Sequence, residues 1–336
     1  MLRGSAASRA TFAPTDAALR FDLQKHKDLG FNAVRKHIEV EPQRWFCRAT
    51  GWACRCGRTC PPWTAAAPPD AAARTQGESG FRAPVDRHRS PPSLIMRVSR
   101  NEGRGQCDRA RIADMVKAYD PTRLVDDMSG VDCCGAVDGG NGDVVDHHDY
   151  VGPGNTEPST TRAAVLGEYG GLGFRGSGHE WYPGGGFGYE DQASTAALND
   201  RLVGLLDAIR ENSMPAGGLS AAVHTRITGV ENEANGLLTY DRRVVEAEEA
   251  RVRAADQALV AVSRTVGAAG RVALRAERLD PRDHTGVHRP LLTDRYSPAA
   301  SRRPAAYARG ARREGAPPRS RCRGGAPSEV CAGAGG

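Results

Sequence analysis

The hydrophobic positions of the chain follow two rhythms that alternate along much of its length. Leu19 and Leu23 stand at i,i+4 behind Thr15, which follows Pro14 and suits an N-cap, and Gly30 suits a C-terminal stop. The spacing predicts a helix over 15–30. "FNAVRKHI" follows at once as a short strand. Helix, glycine turn and strand in quick succession are a βα rhythm. From about Cys47 to Pro92 the rhythm is lost, and "TAAAPPDAAARTQGESG" has no usable period and reads as loop. It resumes at "SLIMRV", a short apolar run ending in "SRNEG"; "RIADMVKAYDPTR" then reads as a helix closed by Asp120-Pro121. "LVDDMSG", "DVVDHHDY", "AAVLGEYGG" and "GLSAAVHT" read as further strands. Leu198, Leu202, Leu205, Leu206 and Ile209 share one face of a predicted helix, and residues 244–264 read as a last one with Val245, Val252, Leu259 and Val262 buried. Beyond about Thr265 the periodicity stops.

Short apolar runs that alternate with helices and end in polar residues predict a parallel α/β architecture. The expected fold is a partial (β/α)8 barrel, of the TIM type, with a disordered insert and a disordered C-terminal tail. Catalytic groups of such barrels lie at the C-terminal ends of strands. Here those ends carry Asn101 and Glu102, His148 and Tyr150, and Glu168.

Composition changes the picture at two places. Only four of the 46 basic residues are lysine, and Gly and Pro are abundant, so the +6 charge reads as a GC-rich coding bias. No basic face with interleaved aromatics can be traced, and no nucleic-acid partner is expected. From residue 301 onward eight arginines face two acids among Pro, Gly and Ala, which predicts a disordered tail. The start has no apolar h-region, and no run approaches the ~18 apolar residues of a membrane span. No membrane association is expected, and the expected location is cytoplasmic.

Glu102 in "RNEGRG" and Glu168 in "LGEYGG" are 66 residues apart, each just after an apolar run and beside glycine. Cleavage of a glycosidic bond needs two carboxyl groups flanking the anomeric carbon, one to protonate the leaving oxygen and one to attack or to activate water. Two strand ends can hold them face to face. The competing reading is a pair of ordinary solvated loop glutamates.

Six blocks, "FDLQKHKDLGFNAVRKHIEVEPQRWF", "SLIMRVSRNEGRGQ", "DPTRLVDDMSG", "DVVDHHDYVGPGN", "RAAVLGEYGGLG" and "VENEANGLLTYDRRVV", follow one another in an order that resembles the catalytic barrel of glycoside hydrolase family 2, the beta-galactosidase and beta-glucuronidase-like group. The likeness covers residues 15–46 and about 91–264. It implies a retaining beta-glycosidase acting on carbohydrate by double displacement, with no cofactor and no metal. By position, Glu102 matches the acid/base and Asn101 the neighbour that contacts the sugar 2-hydroxyl. Glu168 matches the nucleophile. His148 and Tyr150 fall on the strand-6 segment lining the site, and Arg35 and His37 on the strand-2 end. Glu168 would have to be ionised to attack, helped by Arg35, while Glu102 would have to carry the proton. Trp181, Tyr182, Phe187 and Tyr189, in a Gly-rich loop, could stack on sugar faces or pack within the loop.

The resemblance divides the chain into a disordered leader (1–14), helix 1 and strand 2 (15–46), an aberrant Cys/Pro/Ala-rich segment (47–90), strand 4 to helix 8 (91–264) and a disordered tail (265–336). Strand 1 is expected to be absent and strand 3 unrecognisable, so the barrel is not expected to close normally and activity of this chain stays open. Arg97, inside a strand, is expected to cost several kcal/mol if buried without a partner.

Strand 3 of the family runs into a segment resembling V-W-Q-D-M-P, where this chain has "CRCGRTCPPW". Written in permitted codons and moved by one base, Cys56 to Pro61 reads V-W-Q-D-M-P, which points to a pair of compensating frameshifts. Cys47, Cys54, Cys56 and Cys60 lack the paired spacing of a zinc site, and no disulfide knot is expected without a secretion signal. Cys133 and Cys134 read as loop thiols. The alternative function is a non-catalytic binding protein on a decayed barrel, taking zinc or nucleic acid.

Overall fold

A computed structural model describes residues 2–4, 14–51, 55–59, 70–103, 105–176, 178–183, 185–215 and 217–277, with backbone alone for 2–4, 55–59 and 265–277. Strands β1 (Leu2–Gly4), β2 (Ala33–Lys36), β3 (Arg55–Thr59), β4 (Leu94–Val98), β5 (Leu124–Asp126), β6 (Val144–Asp149), β7 (Ala163–Gly170) and β10 (Leu219–Thr225) form one sheet. Two short strands, β8 (Leu172–Gly173) and β9 (Glu190–Asp191), pair separately. The helices are α1 (Asp16–Asp28), α2 (Gln43–Gly51), α3 (Ala71–Arg87), α4 (Arg109–Tyr119), α5 (Thr195–Ala208), continued by a π turn over Ile209–Ser213, and α6 (Glu249–Glu277).

The large sheet runs β5-β4-β3-β2-β1-β10-β7-β6, and every neighbouring pair is parallel. Its two outer strands are linked as well. Ser129, just past β5, bridges Asp146 of β6, and the amides of Gly130 and Val131 both donate to the Asp146 carbonyl at 3.0 Å. The chain divides into two compact units, Met1–Ala269 and Gly270–Gly336, and of the second only residues 270–277 are described, as helix. Among the described residues no helix is long and apolar enough to cross a membrane.

Helices cover one face of the sheet and supply the apolar core there. Leu198, Leu202, Leu205, Leu206 and Ile209 pack with Ala164 and Leu166 of β7, Ala222 of β10, and Val252 and Leu259 of α6. A second cluster joins Leu19 and Leu23 of α1, Val34 of β2, Trp45 and Phe46 of α2, and Leu94 of β4. The third joins Phe81, Ile112, Val116 and Val125. Thr15 caps α1 as the sequence predicts, its hydroxyl accepting from the Ala18 amide at 3.2 Å.

The structure departs from expectation at the gaps. β1 lies where strand 1 was expected to be absent, in register with β2 through Leu2↔Val34, Arg3↔Arg35 and Gly4↔Lys36. β3 occupies the slot between β2 and β4, inside the cysteine-rich stretch. Both come from segments without apolar alternation, so periodicity could not find them. The expected loop over "DAAARTQGESG" is α3, whose start was signalled by Asp70, which caps it by accepting from the Ala73 amide at 2.8 Å. The last helix starts at Glu249, later than predicted, because Val245 pairs with Leu238 and the Asn199 side chain holds the Glu246 carbonyl and the Glu248 amide. It then continues past Thr265 to Glu277. Residues 278–336 of the expected tail lie outside the described residues.

Arg97 is fully buried, yet it has a partner. Its guanidinium donates to Asp120 Oδ2 at 2.8 and 3.1 Å and to the His88 carbonyl at 3.1 Å. The expected cost of a lone buried charge is therefore offset by a buried ion pair.

Candidate active site

The strands alternate between the helix-covered face and a polar face, since successive side chains point to opposite sides. Val34 enters the core while Arg35 beside it faces the other way. On β7 alternation is broken by one extra residue, since His147↔Leu166 is followed by His148↔Glu168, so Leu166 and Tyr169 enter the core while Glu168 between them turns to the polar face. Asp146 and His148, two residues apart on β6, belong to that face too.

Glu168 is buried at 1% exposure and accepts hydrogen bonds from the Arg35 guanidinium and from the Tyr150 hydroxyl, the latter at 2.5 Å. Two donors, one charged, favour a carboxylate there. Arg35 also donates to Asn101 Oδ1 at 2.8 Å, tying the end of β4 to the end of β2. Tyr150 is stacked on Tyr189, ring centroids 3.8 Å apart and planes within 7°.

Glu102 is built differently. It is half-buried, sits in the left-handed region at φ +52°, and its amide donates to the Ser129 carbonyl at 2.9 Å. A left-handed non-glycine residue is strained by roughly 1–2 kcal/mol. Gly103 next to it is required, because a Cβ there would meet the Ala136 backbone at 2.9 Å. Its carboxyl oxygen lies 3.0 Å from His148 Nδ1.

Behind His148 a polar chain runs into the core. His148 Nε2 is 2.8 Å from Ser129 Oγ, which donates to Asp146 Oδ2 at 2.7 Å. Asp126 faces Asp146, and burial followed by the Asp146 charge pushes the Asp126 carboxyl well above the ordinary range. Asp126 Oδ2 and Asp146 Oδ1 are both buried without another donor, so a shared proton satisfies both. Gly130 makes room for the ring, since a Cβ there would stand 2.8 Å from His148 Nδ1.

The carboxylate oxygens of Glu102 and Glu168 and a ring nitrogen of His148 all lie within 4.8 Å of one another. Such a triad could hold a cation in principle. The Arg35 guanidinium already seated on Glu168 argues against one.

Six of the eight sequence-predicted residues, Glu102, Glu168, Asn101, His148, Tyr150 and Arg35, are thus joined by hydrogen bonds. His37 and Trp181 lie outside the bonds just described. His37 is half-buried directly after β2, and Trp181 is 57% exposed, edge-on to Tyr240 in a hollow lined also by Phe174, His179, Tyr182 and Glu246. Tyr182, Phe187 and Tyr189 are exposed as well. Sequence reasoning missed Ser129, Asp126 and Asp146. The signal for Asp146 was available, two residues before His148 and therefore on its face.

Among the cysteines, Cys54 and Cys60 lie outside the described residues and Cys56 is described only as backbone of β3. Cys47 is disulfide-bonded, against expectation. Cys133 and Cys134 are joined to each other and are not the free thiols expected.

No family model and no curated protein matches the sequence. Solved structures do match by fold. Parabacteroides merdae beta-glucuronidase superposes with a TM-score of 0.52 at 12% identity, over 72% of this chain and 36% of its own. Bacteroides uniformis beta-glucuronidase 3 gives 0.52 at 14%, over 72% and 35%. A family 2 beta-galacturonidase from Eisenbergiella tayi, bound to galacturonate, gives 0.56 at 14%, over 76% and 50%. The chain spans between a third and a half of the length of these proteins. The likeness is one of fold, a mixed α/β chain with a parallel sheet.

Proposed function

We propose that the chain is the catalytic part of a family 2 glycoside hydrolase, a retaining beta-glycosidase with Glu168 as nucleophile and Glu102 as acid/base. One observation carries the reading. One oxygen of each carboxyl lies within 4.8 Å of the other, which supports the close pair of a retaining enzyme, ~5–5.5 Å apart, over the ~6.5–9.5 Å that an inverting enzyme needs to admit water between them. The polar face also supports a sheet closed as a (β/α)8 barrel, because Arg35, Asp126, Asp146, His148 and Glu168 are buried on the side the helices do not cover, and the chain after β5 bonds to β6.

In the first step Glu168 attacks the anomeric carbon while Glu102 gives its proton to the leaving oxygen. In the second, Glu102 takes a proton from water, which attacks the same carbon and releases Glu168. Arg35 and Tyr150 fix the nucleophile's oxygens, and Asn101, held by Arg35, is placed for the sugar 2-hydroxyl as the resemblance implies. The Tyr150–Tyr189 stack forms an apolar wall beside it, and Trp181 and His37 would contact the more distant parts of the substrate.

The test is hydrolysis of a panel of aryl beta-glycosides, including glucuronide and galacturonide because the fold neighbours bear those names. Hydrolysis with the beta anomer as first product, followed by proton NMR, is expected. Alpha product, or a well-folded chain that hydrolyses nothing, overturns the reading and leaves a non-catalytic binding protein.

A further inference from the structure

Beside Glu102 lies a group that the glycosidase chemistry does not use. Cys133 and Cys134 sit in the turn after β5, and their sulfurs and a Glu102 carboxylate oxygen lie within 4.8 Å of one another. The turn is fixed against the Glu102 loop. Gln106 donates to the Gly135 carbonyl at 2.8 Å and accepts from the Val137 amide at 3.2 Å, and the Ala136 amide donates to the Cys133 carbonyl at 2.8 Å. Cys134 is exposed and Cys133 half-buried, so reductants and ions can reach the pair.

Two adjacent thiolates and a carboxylate are a donor set for a thiophilic divalent cation. Zinc-type ions take sulfur at ~2.3 Å and carboxylate oxygen at ~2.0–2.2 Å, which places such donors about 3–4 Å apart around one ion. The observed spacing needs only a small adjustment once the sulfurs are no longer bonded. We propose that Cys133, Cys134 and Glu102 form a redox-gated site for a zinc- or cadmium-type cation, open when the cysteines are reduced and closed when they are joined.

The balance is simple. A small-molecule dithiol reduces the bond, giving two thiols and its own cyclic disulfide; the cation then replaces the two thiol protons, which are released to solvent. With Glu102 ligating the ion, its carboxyl can no longer deliver a proton to a leaving group. This consequence for hydrolysis rests on the function proposed above, whereas binding itself does not.

The experiment uses the full chain, reduced with a dithiol that is then removed, and cadmium as the probe, read by the thiolate-to-metal charge-transfer band. The reduced chain is expected to bind one equivalent more than equally reduced Cys133→Ser/Cys134→Ser, which keeps every other cysteine, Cys47 of the second disulfide included. Glu102→Gln should weaken that equivalent by about tenfold or more. Equal uptake by reduced chain and serine variant overturns the proposal. The exposed Cys134→Ala serves if the double variant fails to fold, with the same two outcomes. Cadmium uptake without any hydrolysis would sustain the site and defeat the glycosidase reading; hydrolysis unaffected by bound cadmium would defeat the site's link to Glu102.

Discussion

Glu168 and Glu102 end two strands of one sheet and stand in opposite surroundings. Glu168 is 1% exposed and receives two donors, one of them the Arg35 guanidinium. Glu102 is partly open, kinked into a left-handed backbone, and among the described residues its carboxyl hydrogen-bonds His148 alone. The difference is one of surroundings, a carboxyl enclosed by donors against one open to solvent, and it matches the two roles proposed above. Sequence context alone made the two look alike, each a glutamate after an apolar run and beside glycine.

Exchanging the carboxylate at each site in turn is the strongest way to break this comparison. If Glu168 is the nucleophile, as proposed, Glu168→Gln removes the attacking atom, and hydrolysis should fall by roughly 10⁴-fold or more on every substrate. In Glu102→Gln the loss should reach about 10²–10⁴-fold for an alkyl leaving group and shrink to a few-fold for an acidic phenol, which departs without protonation. Steady-state rates on a leaving-group series measure both. Equal sensitivity of the two variants to the leaving group would erase the assigned roles.

Tyr150→Phe sharpens the Glu168 side. It deletes one donor to the carboxylate and keeps the ring that stacks on Tyr189. A hydrogen bond to a charged group contributes about 1.5–3 kcal/mol, so kcat/KM should fall by about 10- to 100-fold. Pre-steady-state kinetics should show the loss in formation of the covalent intermediate, with KM little changed. A loss confined to KM would place Tyr150 on substrate instead.

Much of this site was legible because polar residues closing apolar runs are conspicuous, as at "VSRNEG" and "VLGEYGG". Periodicity also fixed the faces of α1 and α5, where leucines at i,i+3 and i,i+4 meet the sheet. It failed where stability comes from backbone pairing or caps. β3 has the sequence RCGRT, with no apolar alternation, and its place is set by ladders to β2 and β4. Arg97 misled for the opposite reason, because its partner Asp120 lies 23 positions away and only the fold brings them together. The polar chain from His148 to Asp126 was hidden in the same manner, spread over two strands and the turn between them.

That chain supports one smaller prediction on the Glu102 side. Asp126 is buried and holds its proton well above the usual carboxylate range, chiefly through burial and then through the Asp146 charge. A carboxyl whose folded-state proton affinity is raised favours the fold fully below its unfolded pKa of about 3.9, and that contribution is lost as pH rises toward the folded value. Asp126→Asn keeps the neutral shape. Its carbonyl oxygen can still accept from the Met128 amide, as Asp126 Oδ1 does at 3.1 Å, and its amide can donate to Asp146 in place of the shared proton. The variant should therefore match the parent near pH 4 and gain on it steadily as pH rises toward 8, measured by urea unfolding across that range. A gap that stays constant with pH would mean that Asp126 is ionised in the fold, and that Ser129 and His148 are ordered without a neutral carboxyl behind them.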